Sequence, residues 1–158
     1  MKNYDALFQK EKEKIDIKAR LAADEEQAKL DVIVNFCNEG LFDFLEYLDN
    51  KFYVRKHGVN HHVDRAVYTC DMVYNFKNRE HAIERIKTDV RGCLRTGIQY
   101  KWVNGSIYDS LTVRCVDFKP VLEYEGKRMD LDTFMEVVVA QIQKAINENS
   151  PGFQIIEK

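Results

Sequence analysis

The sequence predicts an α+β fold: a helical N-terminal half laid on an antiparallel sheet. Three observations carry this. From Lys2 to Asn38 there is neither glycine nor proline, and strong helix formers dominate. Residues 66–76 are then crowded with Val, Tyr and Thr, which favour strands. Turn signals follow at Asn104-Gly105-Ser106 and Glu125-Gly126, where Asn and Gly tolerate positive φ.

The elements are justified in chain order. Residues 1–50 form a helical hairpin or bent helix. Tyr4, Leu7, Phe8, Ile15, Ile17 and Leu21 make its first part weakly amphipathic. Glu11, Lys14 and Lys18 interrupt the heptads, which argues against a long coiled coil. Leu30, Ile33, Val34, Cys37, Leu41, Phe44, Leu45 and Leu48 then fall at spacings of three and four, a core-facing stripe. Gly40 inside this stripe is expected to end one helix and start another.

From Phe52 onward the reading is an α+β domain, 51–158, folded as one unit with the helices. Lys56 to Asn60 reads as a loop and Ala66 to Phe76 as a strand. Asn78 caps a helix to Thr96, stopped by Gly97, with an apolar face of Ile83, Ile86, Val90 and Leu94. Ile98–Val103 and Leu111–Phe118 read as strands. A small hairpin turns about Glu125-Gly126. A helix from about Asp130 to Asn147 carries a Thr133–Glu136 capping box and buries Phe134, Met135, Val138, Ile142 and Ile146. Ser150-Pro151-Gly152 breaks it, and Phe153–Ile156 is a short last strand. In order this gives strand, helix, strand, strand, helix, strand, the βαββαβ or ferredoxin-like plan. A helix-flanked antiparallel sheet is the alternative.

Length and composition bound the function. The chain has 158 residues, 45% hydrophobic and 32% charged, enough for one domain with a core. No apolar run approaches the ~20 residues of a membrane span. Met1 to Asp5 followed by dense charge predicts no secretory signal, hence a cytoplasmic protein. Cys37, Cys70, Cys93 and Cys115 stand singly in apolar surroundings and read as buried hydrophobes. His57, His61 and His62, with Asp64, Cys70 or His81, could be drawn as a zinc site. Gly58 and Asn60 break the helical spacing, and no H-E-x-x-H or C-x-x-C accompanies it. Phosphate loops and a nucleophile elbow are missing. Cys93 between Arg91 and Arg95 is the best-placed thiol, yet it reads better as a core-edge residue. Asp130/Asp132 and Asp24/Glu25/Glu26 fit helix starts. The expectation is therefore a non-enzyme with no cofactor and no metal.

Net charge −2 hides an asymmetry. Residues 1–50 sum to −5 (7 Lys/Arg, 12 Asp/Glu), 51–104 to +6 (11 and 5) and 105–158 to −3 (6 and 9). Lys87, Arg91 and Arg95 repeat every four residues, a cationic stripe on the predicted helix. Lys101 and Arg114 lie on the next two strands, and Tyr100 and Trp102 alternate with Lys101. Bases stack on rings and phosphates pair with cations, so Lys87, Arg91, Arg95, Lys101, Trp102 and Arg114 are candidates for single-stranded nucleic acid. Against this, Ile98, Tyr100 and Trp102 share one strand face and suit a core, leaving Gln99 and Lys101 outside. Residues 111–118 also lack the RNP1 pattern.

Residues 82–118 (Ala-Ile-Glu-Arg-Ile-Lys…Gly-Ile-Gln-Tyr-Lys-Trp-Val…Asp-Ser-Leu-Thr-Val) resemble the large polyvalent protein-associated domains of phage and plasmid proteins. The shared pattern is a helix, a glycine, a G-[IV]-x-[FY]-[KS] strand, a polar turn and D-S-[IL]-x-V. The resemblance implies a mobile-element accessory protein and brings no catalytic residue. Such a protein would bind and inhibit or modulate a host protein or nucleoprotein complex, for example a defence system. Glu25, Glu26, Asp43, Glu46 and Asp49 would then contact a basic groove of the target. Self-association through the helix at 3–22 is a further option.

Overall fold

One continuous helical rod opens the chain. In the computed structural model, which describes residues 3–57, 67–70, 76–100, 111–148 and 153–158, α1 spans Tyr4–Phe36 and α2 spans Phe42–Lys51. Side chains are described at all these positions except 56, 57 and 67–70. Asn3 caps α1 by accepting from the Ala6 N–H at 3.2 Å. Between α1 and α2, Cys37–Leu41 winds as a single π turn, closed by Phe42 N–H donating to Cys37 O. Phe36 and Phe42, on either side, keep right-handed helical angles. The helix is thus neither hairpin nor broken, and Gly40 does not end it.

The π turn has a packing cause. Ile33, Cys37, Leu41 and Leu45 are all fully buried and lie four apart. Four residues of α-helix turn about 400°, so this ladder drifts by about 40° per step. A wider turn with i→i+5 bonds absorbs that drift and keeps all four on the core. Gly40 supplies clearance there: a Cβ on it would lie 2.8 Å from Leu131 Cδ2.

Two antiparallel sheets follow. The first has order β2–β1–β7, from Val67–Cys70, Phe52–His57 and Phe153–Glu157. The second is a meander, β3–β4–β5–β6, from Leu94–Thr96, Leu111–Val116, Lys119–Tyr124 and Lys127–Met129. The fold is α+β, with helices flanking antiparallel sheets. The ferredoxin-like order is not the one formed: β7 pairs with β1, which precedes the whole predicted unit, and β4 pairs with β3 and β5. Phe52 and Val54 are buried with Phe153 and Ile155, so β1 satisfies both the backbone and the apolar face of β7.

Helix α3 is shorter than predicted, Arg79–Thr88. Asn78 does cap it, accepting from His81 N–H at 2.8 Å. Asp89 ends it: its backbone is extended, its Oδ1 accepts from Arg91 N–H at 2.7 Å, and its carbonyl accepts from Gly92 N–H. Gly92 has φ +60°, which favours glycine. Val90 is consequently exposed, and Leu94 is buried on a strand instead of a helix face. Of the predicted strand at 98–103, Ile98 forms an isolated bridge. Gln99, expected outside, is buried beside it.

The hairpin about Glu125-Gly126 forms, both residues having positive φ. Asp130, not Thr133, caps α4 (Leu131–Asn147) by accepting from Thr133 N–H at 2.7 Å. Hydrogen bonds from Thr133 hold the Asp130 carboxyl below its ordinary pKa. Phe134, Val138 and Ile142 are buried, while Met135 and Ile146 are half-buried. Phe134 stands edge-on to Phe44 (5.9 Å) and Tyr124 (5.1 Å), joining α4, α2 and β5. Cys37 and Cys93 are buried and Cys115 half-buried, all as free thiols.

Candidate anion-binding face

Strand alternation decides which arginines meet. Leu94 and Thr96 face the core and Arg95 faces out. On β4, Leu111 and Val113 face in, so Thr112 and Arg114 share the outer face. Register places Arg95 opposite Thr112 and Thr112 opposite Glu123. Glu123 in turn lies opposite Arg128. The turn after α3 brings Arg91 to the same edge. Arg91, Cys93, Arg95, Thr112 and Arg114 line an open groove of about 270 Å³.

The charges on this face do not cancel. Arg114 Nη2 lies 2.7 Å from Glu123 Oε2, and Arg128 Nε lies 3.4 Å from Glu123 Oε1. One carboxylate thus serves two guanidiniums. Arg95 Nε is 3.9 Å from Asp89 Oδ2. Arg91 makes no ion pair among the described residues. Four arginines against Asp89 and Glu123 leave a positive surplus beside a concave surface, which concentrates anions.

Cys93 lines this groove and also borders a second cavity of about 160 Å³, lined by Phe76, Arg85, Ile86, Asp89, Leu94 and Arg95. Burial, and then Asp89, raise its thiol pKa; Arg95, Arg114 and Arg91 pull the other way and do not prevail. It is a masked thiol, not an activated one.

The helical stripe of Lys87, Arg91 and Arg95 does not exist, because α3 ends at Thr88. Arg91 and Arg95 still converge with Arg114, through a turn and a strand register. Lys87 stays exposed in the last turn of α3 and does not line the groove. Lys101 and Trp102 lie outside the described residues. The Tyr100 ring is half-buried and its hydroxyl donates to Glu125 Oε1 at 3.1 Å. Arg128, Asp89 and Glu123 escaped sequence reasoning. The Glu125-Gly126 turn could have supplied two of them, since it sets Glu123 against Arg128.

The acidic candidates are distributed differently. Glu25 pairs with Lys29 at 3.4 Å, and Glu26 is exposed on α1. Both lie mid-helix with Asp24, so the helix-start explanation of that triplet is corrected. Asp43 and Glu46 grip one partner: Arg79 Nη2 is 2.6 Å from Asp43 Oδ1, and Arg79 Nε is 3.0 Å from Glu46 Oε1. The same guanidinium lies over the Phe42 ring at 5.6 Å. Asp49 is half-buried, and its carbonyl accepts from Lys158 Nζ at 3.2 Å. Residues 25 and 49 are about 36 Å apart along one rod, so the five carboxylates do not form one patch.

Among the described residues, no three His, Cys, Asp or Glu side chains are grouped to hold a metal. Of the zinc drawing, His57 closes β1 and Cys70 closes β2; His61, His62 and Asp64 lie outside the described residues. Among those residues, no helix is long and apolar enough to cross a membrane. No family model, no curated protein and no solved structure matches the chain.

Proposed function

We propose that this chain is a non-catalytic binding protein, and that its working surface is the outer face of the β3–β6 meander. Its ligand is the phosphate backbone of a single-stranded nucleic acid, held by Arg91, Arg95 and Arg114. The convergence of these three arginines on one groove carries the reading. The accessory-protein character implied by the resemblance of residues 82–118 is compatible with it. Docking on a protein or nucleoprotein target through acidic residues is supported less well, because Arg79 already takes up Asp43 and Glu46.

Fluorescence anisotropy of labelled single-stranded DNA and RNA tests the proposal. Three phosphates neutralised on a single strand give a log–log salt slope of about −2. Arg91→Gln or Arg95→Gln then lowers the slope by about 0.7 each. Failure to bind at low salt, or affinity unchanged when all three arginines are replaced by Gln, refutes it.

A further inference from the structure

Beside the arginine groove lies a smaller cavity whose polar groups the phosphate contacts leave unused. Cys93 and Arg95 line both, so the two share a wall. The smaller one measures about 160 Å³. Pockets for drug-sized ligands run to about 300–1,000 Å³, so this one suits a single ring system. Phe76, Ile86 and Leu94 are buried and give it an apolar bed. Arg85 and Asp89, at the end of α3, supply its polar side.

Both polar groups have bonding capacity to spare. The Arg85 guanidinium lies 5.7 Å from the centre of the Phe76 ring and makes no ion pair among the described residues. Asp89 Oδ1 accepts from Arg91 N–H at 2.7 Å. Asp89 Oδ2 lies 3.9 Å from Arg95 Nε, beyond hydrogen-bond range. A carboxylate has about four lone-pair sites, so Asp89 can accept two further bonds.

We propose that this cavity seats one guanine base of the bound strand, an inference that rests on the single-stranded nucleic-acid reading above. Guanine offers two adjacent donors, N1–H and the N2 amine, which match a carboxylate. It also offers two adjacent acceptors, O6 and N7, which match a guanidinium. Asp89 takes the donors and Arg85 the acceptors, while Arg91, Arg95 and Arg114 hold the phosphates. Adenine, cytosine and thymine present Asp89 with one donor group only. The Watson–Crick edge of guanine is free for such contacts in an unpaired strand.

Fluorescence anisotropy at low salt tests this with four labelled oligothymidines, identical but for a central guanine, adenine, cytosine or thymine. The guanine strand is expected to bind about tenfold more tightly than the others. Asp89→Asn, which keeps an oxygen for the Arg91 N–H, brings the four strands to one affinity. Arg85→Gln, at an exposed position, lowers the guanine preference and keeps the cavity testable should Asp89→Asn not fold. Equal binding of all four strands by the parent protein overturns this inference and leaves the arginine groove standing. A guanine preference that survives the substitutions overturns it too, because the base is then read elsewhere. No binding of any strand refutes the arginine-groove reading and this inference with it.

Discussion

Cys37 shows how one side chain ties the core to solution conditions. It is fully buried at the start of the π turn, and burial pushes its thiol from the ordinary 9.0 up to about 12. Between those values the unfolded chain gives up this proton and the folded chain keeps it. The thiol's contribution to stability is therefore intact below pH 9 and is lost as pH rises toward 12. Urea unfolding from pH 8 to 10.5 should show a shallower decline for Cys37→Ala than for the parent. Alkylation should follow burial: among the described thiols, half-buried Cys115 reacts before Cys93, and fully buried Cys37 last. Phe118 is a residue in an unfavourable place. It turns the β4–β5 hairpin with φ +58°, beside Asp117 at +51°, although the left-handed region costs a side chain of this kind about 1–2 kcal/mol. The cation–π contact it gains, with Lys29 Nζ at 5.8 Å from the ring, is worth about 0.5 kcal/mol at an exposed site. Phe118→Asn should accordingly stabilise the protein by about 1 kcal/mol, read from its urea midpoint.

At the scale of elements, packing overrides local signals where several compete. Gly40 reads as a terminator in sequence, yet the helix runs through it, because Ile33, Cys37, Leu41 and Leu45 all gain burial if winding continues. The glycine serves the approach of Leu131. Gly40→Ala and Leu131→Ala should therefore be non-additive: the Leu131 truncation costs less in the Gly40→Ala background, where it relieves the contact at 2.8 Å. Denaturant midpoints of the four proteins in that cycle measure the coupling. The same competition explains what the sequence made legible. Caps and two-residue turns are local, so Asn78, the Glu125-Gly126 hairpin, α4 and β7 were readable. The end of α3 was misplaced because Ile86, Val90 and Leu94 keep helical spacing. The signal that mattered was the shorter one, Asp89 followed by Gly92. The β4–β5 turn was invisible, since phenylalanine is not a turn former. Of the candidate groove, Arg91, Arg95 and Arg114 were named from charge alone, on the wrong scaffold. Their meeting depends on strand register, and the pairing of Arg79 with Asp43 and Glu46, residues more than thirty positions away, depends on how the start of α3 comes to lie beside α2.

For the whole molecule, the core is one cluster that draws on both sheets and on the rod only from Leu30 onward. Ion pairs on the arm, such as Lys14 with Glu11 at 3.2 Å, are exposed and worth little. Removing residues 1–26 should leave the unfolding midpoint of the remaining chain within about 0.5 kcal/mol of the parent at concentrations where both are monomeric. A large loss would show that the arm packs on its own domain. The partition between seated and free helix also has a mechanical side. With no hinge at the π turn, the rod is clamped along residues 30–51 and overhangs for about 39 Å. It is a lever. A tilt of about 5° at the clamp sweeps the tip through about 3 Å over that length. Any adjustment in the bed of Ile33 and Cys37 is thus delivered, magnified, to the tip that carries Tyr4 and Phe8.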